Sequence, residues 1–297
     1  MASVLRVALV QMSCEADRSA NTERALALAE RAARDGASIV CLQELFSTRY
    51  FPQAEDHASF DLAEPIPGPT TQRFAQFARR AKVAVLCPLF ERVGPGVYYN
   101  SVAVISGSGE LVGRYRKMHI PDDPLYFEKF YFAPGDLGFR VFRLAGVPVA
   151  PLICWDQWFP EAARIMTLKG AQILIYPTAI GWFDEDSEEE KQRQLEAWIT
   201  VQRGHAIANG VPLVAVNRIG YEEDPKGHLD GIRFWGNSFV AGAQGEILAR
   251  SDASGEEILR AGIDLERSEE VRRIWPFLRD RRIESYHALL KRYIDKN

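Results

Sequence analysis

Apolar positions along this chain follow two alternating patterns. Short unbroken runs mark buried strands, and stretches in which apolar residues recur every three or four positions mark helices with one buried face. Val7–Gln11 has the first pattern. Asn21 or Thr22 can cap a helix that runs to about Asp35, where Gly36 stops it. Ile39–Glu44 follows as a buried strand, Phe74, Phe77 and Ala78 give Thr70–Lys82 a helical face, and Val83–Phe90 returns to strand character. Val97–Ser106 and Glu110–Met118 then read as a hairpin turned at Gly107-Ser108-Gly109.

The second half repeats this order. A hairpin centred near Gly146 leads into the strand Val147–Cys154, and a helix opens near Pro160, where proline suits the first turn. Gly170-Ala171-Gln172-Ile173-Leu174-Ile175-Tyr176 resembles Gly36-Ala37-Ser38-Ile39-Val40-Cys41-Leu42, an offset of 134 residues. A helix over about Lys191 to Asn209 precedes the strand Val211–Asn217. Asn237-Ser238 then echoes Asn100-Ser101 at an offset of 137. An internal duplication of β-α-β-α-β-β type follows, and two such sheets, each with helices on one face, bury their other faces together as an α-β-β-α sandwich. The expectation is one pseudo-symmetric domain over residues 1–297, with a C-terminal helix and arm from about 267 to 297 that packs on the body or contacts another subunit.

Composition narrows the function classes. The 297 residues carry 40 acidic and 36 Lys or Arg side chains, a formal charge of −4, with no long basic cluster, so nucleic acid and membrane surfaces are not expected partners. No apolar run is long enough to cross a bilayer, and Met1 leads into Leu5–Val10 without a secretory pattern, so a cytoplasmic location is expected. Cys14, Cys41, Cys87 and Cys154 show neither disulfide nor zinc spacing, and the five histidines are scattered. Neither metal nor cofactor is expected.

Strand ends are where an α/β sheet presents its chemistry. Glu44 ends one apolar strand, Lys117 ends the second hairpin arm, and Cys154 ends Pro148–Ile153; the duplicated scheme brings these ends together. A thiol attacks as thiolate, an ammonium nearby lowers its pKa, and a carboxylate can take its proton. The same carboxylate can return the proton to a departing amine and activate water, while the ammonium and the backbone N–H of Trp155 hold an oxyanion. Taken singly, each residue has a plainer reading: a packed thiol and two solvated charges.

The flanking residues decide between these readings. Gln43-Glu44-Leu45-Phe46, Tyr115-Arg116-Lys117-Met118-His119-Ile120-Pro121-Asp122 and Ile153-Cys154-Trp155-Asp156-Gln157-Trp158-Phe159-Pro160-Glu161 resemble blocks of the nitrilase, or carbon–nitrogen hydrolase, superfamily, in its order and with separations of 73 and 37 residues. The resemblance covers nearly the whole chain. It implies an αββα sandwich, a Glu44–Lys117–Cys154 triad, a second glutamate at Glu128 that positions substrate and lysine, and assembly into dimers or larger homo-oligomers. Glu128–Phe132, Tyr176–Gly181 and Asn217–Gly220 look like the branch that hydrolyses a carbamoylated diamine, although Asp123-Pro124-Leu125 stands where that branch's pattern has a glycine-containing turn.

The expected partner is therefore a small molecule with a cationic tail. Relatives acting on carbamoyl amino acids place arginines just after the nucleophile, where this chain has Trp155-Asp156-Gln157. Asp156, with Asp122 or Asp123, can face an ammonium, and Tyr50, Tyr126 or Trp182 can line an apolar channel. Asp156 can equally make a structural hydrogen bond, and Trp155 and Trp158 are read as core. Rival functions are another hydrolase of the superfamily (β-ureidopropionase, ω-amidase, aliphatic amidase or nitrilase), a non-catalytic sensor, and a redox switch at Cys154. The run Asp184–Glu190 is read as a solvated loop and the acidic first turn of the following helix.

Overall fold

The computed structural model describes residues 4–227 and 229–294, so His228 and the last three residues of the expected arm lie outside the described residues. The first half forms β1 (Val4–Gln11), α1 (Arg18–Arg34), β2 (Ile39–Leu42), α2 (Pro69–Ala81), β3 (Ala84–Gly94), β4 (Val97–Ile105) and β5 (Leu111–Arg116). A short helix α3 (Glu128–Tyr131) leads to β6 (Phe142–Leu144), β7 (Val147–Pro151), α4 (Pro160–Leu168), β8 (Ile173–Pro177) and β9 (Gly181–Trp182). Then come α5 (Glu188–Asn209), β10 (Leu213–Val216), β11 (Ile219–Glu223), β12 (Gly231–Trp235), β13 (Phe239–Ala241), β14 (Ile247–Arg250), β15 (Glu257–Asp264) and α6 (Leu265–Ile274).

Two six-stranded sheets result, ordered β15-β1-β2-β3-β4-β5 and β6-β7-β8-β10-β13-β14. In each, three parallel strands are flanked by one antiparallel neighbour on one side and an antiparallel pair on the other. The duplication expected from the offsets is present in strand order: β2 matches β8, and β4 matches β13.

Side-chain alternation builds the layers, because successive residues of a strand face opposite ways. Leu5, Val7, Leu9, Ile39, Cys41 and Leu86 share a buried cluster with Val149, Ile173, Leu213 and Val240 of the second sheet. The opposite face, Ala8, Val10, Val40, Leu42, Val85 and Cys87, packs on Ala25 and Ala29 of α1 and Phe74 and Phe77 of α2. Met166 of α4 and Trp198 of α5 join the cluster of the second sheet. The order of layers is α-β-β-α, as expected.

Two boundaries differ from expectation. Helix α1 is capped by Asp17, whose carboxylate accepts from the N–H groups of Ser19 and Ala20. Asn21 lies inside the helix and is buried because its amide donates to the carbonyls of Glu15 and Ser47. Helix α5 begins at Glu188 with Ser187 as its cap, so part of the acidic run forms its first turn, where the helix dipole favours it. A small antiparallel sheet, β9-β12-β11, was not expected, and its Phe234 joins Tyr50, Leu125 and Ala179 in a separate aromatic cluster. The C-terminal segment leaves Ile274, Leu289, Leu290 and Tyr293 largely exposed. No helix among the described residues is long and apolar enough to cross a membrane.

Candidate active site

Three strand ends carry the candidate residues. Glu44 lies just past β2, Lys117 follows β5, and Cys154 opens a tight 3-10 turn, Cys154–Trp158, after β7. All three are buried. Lys117 Nζ donates to Glu44 Oε1 at 2.8 Å and to Glu128 Oε1 and Oε2 at 2.8 and 2.7 Å. Asn100 Nδ2 adds a second bond to Glu44 Oε1 at 2.6 Å, and Tyr50 OH donates to Glu128 Oε1 at 2.6 Å. Glu44 Oε2 is buried and has no hydrogen-bond partner among the described residues, an acceptor able to take a proton. Gly135 clasps the lysine from outside: its N–H donates to the Lys117 carbonyl at 2.8 Å, and a Cβ there would lie 2.2 Å from the Arg116 carbonyl oxygen.

Two buried carboxylates against one ammonium leave the cluster with an excess negative charge beside the thiol. Burial, followed by the Glu44 charge, pushes the Cys154 thiol well up, and Lys117 only partly opposes them. The ammonium lowers the thiol pKa as expected, but burial and Glu44 outweigh it, so the resting thiol is held toward its protonated form and deprotonation has to accompany attack. Burial opposes the charge on Lys117, but Glu128 and Glu44 outweigh it and hold the ammonium above its ordinary range. Burial also pushes Glu128 up to about 7, against the pull of Lys117.

The nucleophile's turn is strained and braced. Cys154 has φ +40, a left-handed conformation that a non-glycine residue adopts at a cost of about 1–3 kcal/mol. Asp156 pins the turn, accepting from Ile153 N–H at 2.9 Å, Tyr115 OH at 2.8 Å and His119 N–H at 3.0 Å, while its own N–H donates to the Ile153 carbonyl. The Cys154 sulfur lies 3.8 Å from the Ala179 carbonyl oxygen. That wall is fixed by Asn217, whose amide both accepts from Ile180 N–H and donates to the Ile180 carbonyl at 3.0 Å.

A cavity of about 310 Å³ opens over the sulfur, walled by Tyr126, Trp155, Trp158, Phe183 and Trp235, with Asp123 and Gln194 also in its lining. A thiol at the floor of an aromatic cleft, beside a lysine held by two glutamates, suits acyl or carbamoyl transfer. Residues 6–273 match the family model described as carbon-nitrogen hydrolase. This chain belongs to the carbon–nitrogen hydrolases.

The hydrolase is 45% identical over 290 residues to an N-carbamoylputrescine amidase of Oryza sativa subsp. japonica, covering 97% of this chain and 95% of the relative. A citrullinase of Francisella tularensis subsp. tularensis is 39% identical, covering 97% and 99%. Among solved structures, a carbon–nitrogen hydrolase of Helicobacter pylori G27 superimposes with a TM-score of 0.95 at 51% identity, covering 98% of this chain and 100% of that one.

Of the residues singled out by sequence, the structure joins Glu44, Lys117 and Glu128 in one hydrogen-bonded cluster whose charges act on Cys154, and puts Tyr126 and Trp155 on the cavity wall. Four residues expected to contact substrate do not line this cavity. Asp156 is buried beneath the nucleophile with its oxygens occupied, as the alternative hydrogen-bonding reading had it. Asp122 faces Lys129 at 3.8 Å. Tyr50 supports Glu128. Trp182 donates its indole N–H to the Lys191 carbonyl and lies tilted against the Trp235 ring at 5.4 Å between centroids. Conversely, Trp155 and Trp158, read as core, line the cavity.

Sequence reasoning assigned no role to Arg218 of the hydrolase. Fully buried, it donates to the carbonyls of Glu44 at 3.1 Å, Leu45 at 2.8 Å and Thr48 at 3.0 Å, and pairs with Glu222 at 2.6 Å. It fixes the turn that aims Glu44, where Leu45 has φ +50. Asn217-Arg218 had been noted only as part of a resemblance; a buried arginine's carbonyl partners lie about 170 residues away and leave no local pattern.

One expectation concerns thiol chemistry. Cys14 and Cys41 are pushed up by burial to about 11 and about 12, Cys87 is pushed up as well, and none of the three lines the cavity. Iodoacetamide should label Cys154 alone in the native protein, at a rate still climbing with pH at pH 9. Peptide mapping by mass spectrometry checks the site; a rate plateau near pH 7 would contradict the protonated resting thiol.

Proposed function

We propose that the chain hydrolyses N-carbamoylputrescine to putrescine, carbon dioxide and ammonia, a step that supplies the diamine for polyamine synthesis. The identity to N-carbamoylputrescine amidases along nearly the full length supports this reading. The observation that carries it is the cavity wall. It is aromatic and, among the described residues lining it, holds no Lys or Arg to receive a substrate carboxylate. That also counts against citrulline, whose amino-acid end carries such a group, despite the 39% identity to a citrullinase.

In this mechanism the Cys154 sulfur attacks the carbamoyl carbon as its proton passes to Glu44 Oε2, the unpaired oxygen. Lys117 Nζ and the Trp155 N–H hold the oxyanion. The three lysine hydrogens face Glu44 Oε1 and both oxygens of Glu128, so holding the oxyanion requires the two Glu128 oxygens to share one of them. Glu44 then gives its proton to the departing amine, leaving an S-carbamoyl intermediate. Water attacks that intermediate, losing a proton to Glu44, which passes it to the sulfur as the carbon–sulfur bond breaks, and the carbamic acid released falls apart into carbon dioxide and the second amine.

A substrate panel tests the reading. Ammonia release should be fastest from N-carbamoylputrescine, with citrulline, carbamoyl-β-alanine, simple amides and nitriles each slower by about a hundredfold or more in kcat/KM, the order a mismatched charge in a desolvated site produces. A faster reaction with any of the others would replace the proposed substrate.

A further inference from the structure

We propose that Asp123 and Gln194 form the subsite for the distal ammonium of the substrate, so that the cavity selects an aliphatic primary ammonium over a neutral or zwitterionic end. The inference rests on the reading above and adds the atoms that do the selecting.

Asp123 contributes the single carboxylate among the described residues lining the cavity. Its backbone is fixed, since its carbonyl accepts from Tyr126 N–H at 2.8 Å, and its carboxylate makes no hydrogen bond or ion pair among the described residues. Cations of the segments that supply the lining are engaged elsewhere. Lys129 faces Asp122, Lys191 pairs with Glu188 at 3.0 Å, and Arg233 pairs with Asp184 through two contacts of 2.7 Å. A carboxylate without a counter-ion at the rim of an aromatic cleft attracts a cation.

Gln194, in the second turn of α5, supplies the second atom. Its Nε2 donates to Asp186 Oδ2 at 3.1 Å and Glu190 Oε1 at 3.4 Å. Both neighbours are carboxylates, which only accept, so the amide nitrogen has to face them. The carbonyl oxygen is thereby the group Gln194 has left to offer the cavity. A primary ammonium has three donors; Asp123 offers charge, Gln194 one more acceptor, and the faces of Tyr126, Trp155 and Trp235 a surface that favours cations. An α-amino acid end would bring its carboxylate toward Asp123 and be repelled.

The test compares N-carbamoylputrescine with N-pentylurea, in which a methyl replaces the ammonium, using full-length wild type, Asp123→Asn and Gln194→Leu. Wild type should prefer the cation, and Asp123→Asn should lower the ratio of the two kcat/KM values by about tenfold or more, about 1.4 kcal/mol, mainly through KM. Gln194→Leu should lower it by about threefold. Added salt should weaken the wild-type preference more than that of Asp123→Asn. Asp123 is exposed and its side chain holds nothing, so folding is not at stake. An unchanged ratio in Asp123→Asn, or an equal loss on both substrates, overturns the subsite while leaving the proposed reaction standing. A wild-type preference for the neutral urea overturns both.

Discussion

Replacing Cys154 by alanine should leave a folded protein whose ammonia release falls by at least about 10⁴-fold, the scale seen when a covalent nucleophile is removed. The folding half of this expectation follows from the sulfur's surroundings. Among the described residues its polar contact is the Ala179 carbonyl at 3.8 Å, and the turn is held by Asp156, Tyr115 and Ile153, which the substitution leaves in place. Alanine meets the same backbone demand at φ +40 as cysteine does, so the stability change is the loss of one buried atom, about 1 kcal/mol. The activity half follows from the mechanism. Glu44 Oε2 can still activate a water, but no thioester-like intermediate forms, and the reaction reverts to direct attack on an unactivated urea. Kinetics and thermal unfolding on the same preparation check both halves. A variant with unchanged melting that retained a tenth of the wild-type rate would remove Cys154 from its assigned role.

Much of the scaffold can be read from local patterns, because the forces that set it are local. β2, β8, Val7–Val10 of β1 and Ala84–Phe90 of β3 are unbroken apolar runs, and α2 shows its buried face through Phe74, Phe77 and Ala78. The layers follow from those faces, and the repeated Gly-Ala segments mark the second copy. Where several residues can serve the same local role, the reading slips. Asp17, Asn21 and Thr22 can all cap a helix, and what selects Asp17 is the burial of Asn21 against Ser47, a contact 26 residues away. The sheet β9-β12-β11 escapes notice because β9 is two residues long and β11 and β12 mix apolar with charged positions.

The site divides along the same line. Reactive residues at strand ends stand out by type and by flanking motif, so Glu44, Lys117 and Cys154 can be named before any coordinates, while Glu128, which opens α3, is named by the family resemblance alone. Their supports cannot be named in this way. Asp156 and an ammonium ligand look alike in sequence; what separates them is that Tyr115, His119 and Ile153 all donate to Asp156. Asp122 and Asp123 are adjacent, yet Lys129 stands by one and the cavity by the other. Such distinctions depend on which way a side chain leaves the backbone, and neighbouring residues in a loop leave it in different directions.

Lys117→Met is expected to lose at least about 10³-fold in activity and, unlike Cys154→Ala, to lose stability by about 3–5 kcal/mol at pH 8. The lysine is the counter-ion of two fully buried carboxylates, Glu44 and Glu128, and methionine fills its volume without its charge. Glu128 is already pushed up to about 7 with the ammonium present; without it, the folded-state value rises further. An acid whose folded pKa lies above its unfolded value is favoured in the folded state while protonated, so that contribution is present below about pH 4.5 and is lost as pH rises through the folded value. The Lys117→Met deficit should therefore be smaller at pH 5 than at pH 8. Adding Glu128→Gln to Lys117→Met removes one of the stranded charges and should recover part of the stability at pH 8 without restoring activity, because the oxyanion donor is still missing. Denaturant unfolding of the two variants and wild type at both pH values measures each quantity. If Lys117→Met were as stable as wild type at pH 8, or if Glu128→Gln recovered nothing, the lysine would not be the charge that allows two carboxylates to sit together beside the thiol. The arrangement that makes Glu44 a proton acceptor would then need another explanation.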